Sequence, residues 1–297
     1  MDKFTYILGG DIIEINSFVG ERLSLALRSF VQFQYTDTSE KQNTLKPAMR
    51  LKISEGSKNN NNGNIIHSFD IEGGRCIFMT DGTLYHFLVT EANESKMSLH
   101  MSRVSNEAEL LVDSLSNFNV SNLKFVLWTA VAFYGIPNLS AAVHSSVIVD
   151  DGGAVMFLGE SGTGKSTHTG LWTKNIAGST LLNDDSPLLK LENDIPIVYG
   201  SPWSGKGCCY LNEKYPLKAI VRLEQYHTNV IRKLSKLEAF AALYPSFPPA
   251  FLKDTYFEEG ICRIISGVIS AVPVYNLKCL PCVEAAELAQ KTINSYT

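Results

Sequence analysis

The run Gly159-Glu160-Ser161-Gly162-Thr163-Gly164-Lys165-Ser166 has the spacing G-x-x-x-x-G-K-[ST], which suits it to holding the phosphates of a nucleotide. The glycines allow the backbone to turn through φ > 0 without a Cβ clash. The N–H groups from Gly159 through Glu160, Ser161, Gly162, Thr163 and Gly164 to Thr167 then point inward as a nest for phosphate oxygens, helped by a helix N-terminus. Lys165 reaches the β- and γ-phosphates, and the Ser166 hydroxyl binds Mg²⁺. The motif needs a strand before it and a helix after it. Ala154 to Leu158 is an apolar run that reads as a buried strand, and Thr167 to Ile176 can start a helix.

Asp184 and Asp185 follow about 20 residues after Lys165, at the end of the apolar run Thr180-Leu181-Leu182. Successive side chains on a strand diverge, so the two carboxylates take different roles. One joins the Mg²⁺ shell, where Asp184 is placed with Ser166. The other, Asp185, faces an acceptor hydroxyl as general base, with the exchanged assignment left open. The plainer alternative is a solvated turn, since Asn183-Asp184-Asp185-Ser186-Pro187 is good turn chemistry. His144 precedes the paired strand, and on its own it reads as structural or catalytic. Gly200 to Gly207 is a second glycine-rich loop, whose Lys206 either neutralises a phosphate or sits on an ordinary surface loop. Trp172, Tyr199, Trp203 and Tyr210 either line an acceptor pocket or pack in the core. Cys279-Leu280-Pro281-Cys282 has no second pair at zinc spacing, and Cys208-Cys209 are adjacent. Both read as structural or incidental thiols.

Two kinds of pattern must position these residues. The first 118 or so residues alternate in short apolar runs: Phe4 to Leu8, Asp11 to Ile15, Val31 to Tyr35, Met49 to Ile53, Ile65 to Ile71, Cys76 to Met79, Thr83 to Thr90 and Met97 to Ser102. Gly73-Gly74 and Asp81-Gly82 punctuate them as hairpin turns, and Ser54 to Asn64 reads as a loop tip. This predicts an antiparallel β-rich unit over 1–118 and a nucleotide-binding catalytic domain over 119–297. In the second part the patterns predict helices at Glu107 to Ser116, just before the border, and at Asn122 to Tyr134, Leu234 to Leu243, Lys253 to Ser270 and Val283 to Asn294. Strands are expected at Ser145 to Val149, Leu188 to Leu191, Ile195 to Tyr199, Ala219 to Leu223 and Val272 to Leu277. The fold class expected is α/β (α+β).

Hydrophobic residues make up 45% and charged residues 19% of the 297, a globular composition. The net charge of −4 argues against nucleic acid as the main partner. No apolar stretch is long enough to span a membrane, and the first residues do not read as a signal peptide. With six cysteines this suggests reduced thiols in a cytoplasm. A homo-oligomer is compatible with the sequence.

His144 with Ser145-Ser146-Val147-Ile148-Val149, then the Gly159 to Ser166 run, then Leu181-Leu182-Asn183-Asp184-Asp185 resembles the catalytic domain of HPr kinase/phosphorylase, most of all the shorter HPr-kinase-like proteins. The Gly159 to Ser166 run is also similar to that of ATP-dependent phosphoenolpyruvate carboxykinase, whose nucleotide core shares the fold. The resemblance covers roughly residues 121–290 and is specific over 144–185. It implies a mixed-sheet P-loop domain and Mg²⁺-dependent phosphoryl transfer from ATP to a serine hydroxyl on a protein, peptide or metabolite. It also puts His144 near the transferred phosphate. The N-terminal unit does not resemble the N-terminal domain of HPr kinases, so HPr as acceptor and the reverse phosphorylase activity are not carried over. ADP or pyrophosphate remain alternative donors. A nucleotide-binding regulator without acceptor turnover and a free-serine kinase remain alternative functions.

Overall fold

The computed structural model describes residues 2–17, 21–35, 46–57, 63–205, 207 and 209–295. Its contacts separate two units, residues 1–138 with 250–258, and 139–249 with 259–297.

The first unit is built on an eight-stranded sheet. Its strands are β1 (Asp2–Leu8), β2 (Asp11–Ser17), β3 (Met49–Glu55), β4 (Asn64–Ile71), β5 (Gly74–Thr80), β6 (Leu84–Glu91), β7 (Lys96–Ser102) and β8 (Glu107–Val112). The order is β1-β2-β3-β8-β7-β6-β5-β4. The expected all-antiparallel sheet is corrected, because β3 pairs parallel with both β2 and β8. Parallel neighbours need a long crossover, and the chain between β2 and β3 supplies one that carries helix α1 (Glu21–Ala26). Two further expectations fall here. Val31 to Tyr35 is no strand: Arg28–Phe33 is a 3₁₀ turn that buries Phe30 and Phe33, with Phe30 edge-on to Tyr6 at 5.4 Å. Glu107 to Ser116 is no helix: β8 is held between β3 and β7, and that ladder outweighs a ten-residue helix too short to sustain itself. The expected loop tip at Ser54 to Asn64 lies partly outside the described residues.

Helix α2 (Val120–Gly135) starts where Asn119 accepts hydrogen bonds from the amides of Ser121 and Asn122, at 2.8 and 3.2 Å. It belongs with the first sheet, whereas the expected border of 118/119 falls just before it. Its Phe125 meets Phe87, and its Phe133 meets Tyr85. Residues 250–258 return to the same unit, where Phe257 packs 4.9 Å from Phe133 and Phe251 packs 5.3 Å from Phe78.

The second unit holds a nine-stranded mixed sheet. Its strands are β9 (Ser140–Ala142), β10 (Ser145–Asp150), β11 (Gly153–Leu158), β12 (Thr180–Asp185), β13 (Leu188–Glu192), β14 (Ile195–Tyr199), β15 (Lys214–Gln225), β16 (Val230–Lys233) and β17 (Val274–Cys279). The central strand β15 runs parallel to β11 and β17 and antiparallel to β14. Helices α3 (Lys165–Asn175), α4 (Lys236–Leu243), α5 (Thr255–Ala271, from Glu259 onward in this unit) and α6 (Val283–Asn294) complete it. The core gathers Ile148, Val155, Phe157, Val221, Tyr275 and Leu277 from the sheet, with Trp172 of α3 and Ala286 and Ala289 of α6. On α6 the buried residues Ala285, Ala286, Ala289 and Ile293 form one helical stripe. The two mixed sheets with their helices make an α+β protein. Among the described residues no helix is long and apolar enough to cross a membrane.

Candidate functional site

The hairpin β10–β11 aims the site. It turns at Asp151-Gly152, both at positive φ, and Asp150 pairs with Gly153. Strand β11 then delivers the chain to Gly159, and α3 begins at Lys165. Gly162 and Gly164 hold φ of 81° and 102°, a region costly for any residue with a Cβ. Thr163 closes the loop on itself: its amide and hydroxyl both donate to the Glu160 carbonyl, at 3.1 and 2.7 Å. Gln225, at the end of β15, steadies the loop from outside, its amide donating to the carbonyls of Gly162 (3.2 Å) and Thr163 (3.4 Å). On the core side the Ser146 hydroxyl donates to Thr169 at 3.0 Å and pins α3 to β10.

Lys165 curls back under the loop. Its Nζ donates to the Gly159 carbonyl (2.8 Å), the Glu160 carbonyl (3.3 Å) and His144 Nε2 (2.8 Å). Burial pushes the Lys165 ammonium down, while Asp185 and Asp184 pull it up. Burial, then the Lys165 charge, push His144 down, against the two carboxylates. A neutral His144 that accepts at Nε2 carries its proton on Nδ1, which faces Asp185 Oδ1 at 3.6 Å.

Strand β12 brings in the acidic pair, with Asp184 opposite Ser146 and Asp185 opposite Ser145 on β10. The Ser166 hydroxyl donates to Asp184 Oδ1 at 3.0 Å. The Ser186 hydroxyl donates to Asp185 Oδ2 at 3.2 Å. Asp185 holds φ of 144°, a strained value for a side-chain-bearing residue, and it persists because its surroundings fix it. Much of that fixing comes from the second glycine-rich loop. The Gly205 amide donates to the Asp184 carbonyl, as does the Ser204 hydroxyl. Beneath them, the buried Asn183 amide donates to the Ser201 and Trp203 carbonyls, at 3.3 and 3.0 Å. Asn183 Oδ1 accepts from the Ser186 amide at 3.0 Å. The loop from Gly200 thus braces the acidic pair, a role its sequence did not suggest; Lys206 lies outside the described residues. Asn183 and Gln225 were missed for the same reason: a lone amide side chain carries no spacing signal.

The charged groups converge on one cleft of about 720 Å³, lined by His144, Lys165, Ser166, Asp184 and Asp185 with Ser161, Gly162, Gly164 and Thr167 of the loop and helix start. The cleft lining includes none of Trp172, Tyr199, Trp203 and Tyr210. Trp172 is fully buried in the core instead. Across the loop lies a second cleft of about 710 Å³, walled by Gly162, Thr163, Leu223, Gln225, Tyr226 and the Cys279–Pro281 turn.

Among the described residues no group of three or more His, Cys, Asp and Glu side chains gathers to hold a metal alone. Mg²⁺ needs no such group, because it binds through one or two protein oxygens and completes its shell with phosphates and water. Ser166 Oγ and Asp184 Oδ1, side by side at the loop, fit that requirement.

Comparison with models of known protein families and with curated proteins finds no match. Among solved structures, the HPr(Ser) kinase/phosphatase from Coxiella burnetii is similar at 16% sequence identity and a TM-score of 0.34, over 52% of this chain and 89% of that one. An overlap of that quality does not by itself establish a shared fold.

Proposed function

We propose that the chain is a Mg-ATP-dependent phosphotransferase acting on a serine hydroxyl of a small protein, a peptide or a small molecule. The observation that carries this is the meeting of Lys165, Ser166, Asp184, Asp185 and His144 in one cleft, against a loop whose amides open a helix. On this reading residues 159–167 bind the phosphates. Lys165 exchanges the carbonyls of Gly159 and Glu160 for phosphate oxygens, because bonds between opposite charges are the stronger ones. Ser166 and Asp184 would hold a Mg²⁺, which would neutralise charge on the phosphates. Asp185 takes the proton of the acceptor hydroxyl as its oxygen bonds to the γ-phosphorus and the bond to the ADP oxygen breaks. His144 stands between Lys165 and Asp185, an acceptor to one and proton-bearing toward the other, and so positions both. Residues 139–249 and 259–297 are then an HPr-kinase-like nucleotide-binding catalytic domain of the phosphoenolpyruvate-carboxykinase type.

The test is equilibrium binding of Mg-ATP to the purified protein, followed by transfer of labelled γ-phosphate to serine-bearing acceptors. Binding that depends on Lys165 and transfer that depends on Asp185 support the proposal. Binding without transfer to any acceptor favours a nucleotide-binding regulator. Absence of binding overturns both.

A further inference from the structure

The C-x-x-C run, which the proposed chemistry does not use, lies beside the nucleotide loop. Cys279 is the last residue of β17 and pairs with Gln225, whose side chain holds the Gly162 and Thr163 carbonyls. Cys282 is the N-cap of α6. Both are free thiols and both are partly exposed. The turn between them is tight, with the Cys282 amide donating to the Leu280 carbonyl at 2.9 Å. Leu280 and Pro281, inside that turn, form one wall of the 710 Å³ cleft. Asn229 clamps the turn, accepting from the Leu280 amide at 2.9 Å and donating to Cys282 Sγ at 3.3 Å. Burial, then the nearby Cys282, push the Cys279 thiol up, so the two sulfurs are electrostatic neighbours.

We infer that Cys279 and Cys282 are a redox-active dithiol, whose closure to a disulfide reshapes the wall of the nucleotide loop. With hydrogen peroxide as oxidant, the Cys282 sulfur attacks one peroxide oxygen and gives up its proton. An S–O bond forms, the O–O bond breaks, and the departing hydroxide takes up a proton as water. The Cys279 sulfur then attacks the sulfenic sulfur and gives up its proton. The S–S bond forms, the S–O bond breaks, and a second water leaves. Two thiols are oxidised and one peroxide is reduced to two waters. The disulfide ties the end of β17 to the start of α6 and moves the Leu280–Pro281 turn. Through the Cys279–Gln225 pairing it loosens the hold on Gly162 and Thr163.

The test treats the full chain with stoichiometric hydrogen peroxide, alkylates it, and reads each cysteine by peptide mass spectrometry. The expected result is a 279–282 peptide lighter by two hydrogens, refractory to alkylation until dithiothreitol is added, and absent in Cys282→Ser but present in Cys262→Ser. Hydrogen exchange of the peptide spanning Gly159 to Ser166 is expected to quicken on oxidation and to recover on reduction. Mg-ATP binding is expected to weaken about fivefold or more in the oxidised form. This last readout rests on the function proposed above. If the reduced protein binds no nucleotide, that function fails, and the other two readouts still decide this inference. Both cysteines staying alkylatable, or a disulfide that leaves exchange in the loop unchanged, would overturn it.

Discussion

Lys165 and Asp185 line one cleft, and the proposed function gives them different steps, so their substitutions are expected to separate. Lys165→Ala is expected to remove nucleotide binding, measured by calorimetry. Asp185→Asn is expected to keep nucleotide affinity and to lower transfer by about 10²–10⁴-fold, the usual contribution of a general base. Normal transfer in Asp185→Asn would shift the base role to Asp184. A second residue-scale expectation concerns His168, buried in α3 against Phe157 and accepting from Trp172 Nε1 at 3.1 Å. Burial holds its pKa at about 4, below the ordinary 6.5. Above pH 6.5 both folded and unfolded chains carry it neutral. Between 6.5 and 4 the unfolded chain takes up the proton and the folded one does not, so stability falls with pH by about 3 kcal/mol in total. His168→Gln keeps an acceptor for Trp172 without titrating. Denaturant unfolding from pH 7 to 4 should therefore fall less steeply in that variant; an identical slope would contradict the assignment.

At the level of elements, the Gly200–Gly205 loop braces the acidic pair and places Gly205 in the lining of the same cleft. Asn183 is its hub, fully buried and donating to Ser201 and Trp203. Asn183→Ala takes the side-chain partner from the buried Ser201 carbonyl and from the Ser186 amide, at a cost of about 1–3 kcal/mol for each group left unpaired. It is expected to lower the melting temperature and, by freeing Asp185, to lower transfer more than nucleotide affinity. Equal losses of both would point to a merely structural role. This brace was not legible in the sequence, because it is made of single amides and hydroxyls contacting backbone across about 20 residues. The strand–loop–helix around Lys165 was legible, since glycine spacing and the apolar run of β11 mark it locally. So was α6, found at the expected residues, because its stripe of apolar residues has helical period. What failed were Glu107–Val112 and Arg28–Phe33, short segments whose form is set by distant partners. Strands β9 and β16 escaped notice for the same reason, at three and four residues each.

For the molecule as a whole, sequence order and spatial grouping part company. Residues 250–258 belong with a unit that otherwise ends at 138, and no local pattern announces such a return. Phe257, fully buried among Phe78, Tyr85, Phe133 and Phe251, anchors it. Phe257→Ala is expected to cost about 3–5 kcal/mol, read as a lowered unfolding midpoint in urea. A fragment of residues 1–118 lacks both α2 and this return, and is expected not to unfold cooperatively; a sharp transition would show that the sheet needs neither. The cleft around Lys165 is tested by offering γ-labelled ATP and Mg²⁺ with free serine, serine peptides and a cell extract, wild type beside Lys165→Ala. Label is expected on a serine-bearing acceptor with the wild type and none with the variant. Label transferred equally by both, or a wild type that neither binds nucleotide nor transfers label, would contradict it.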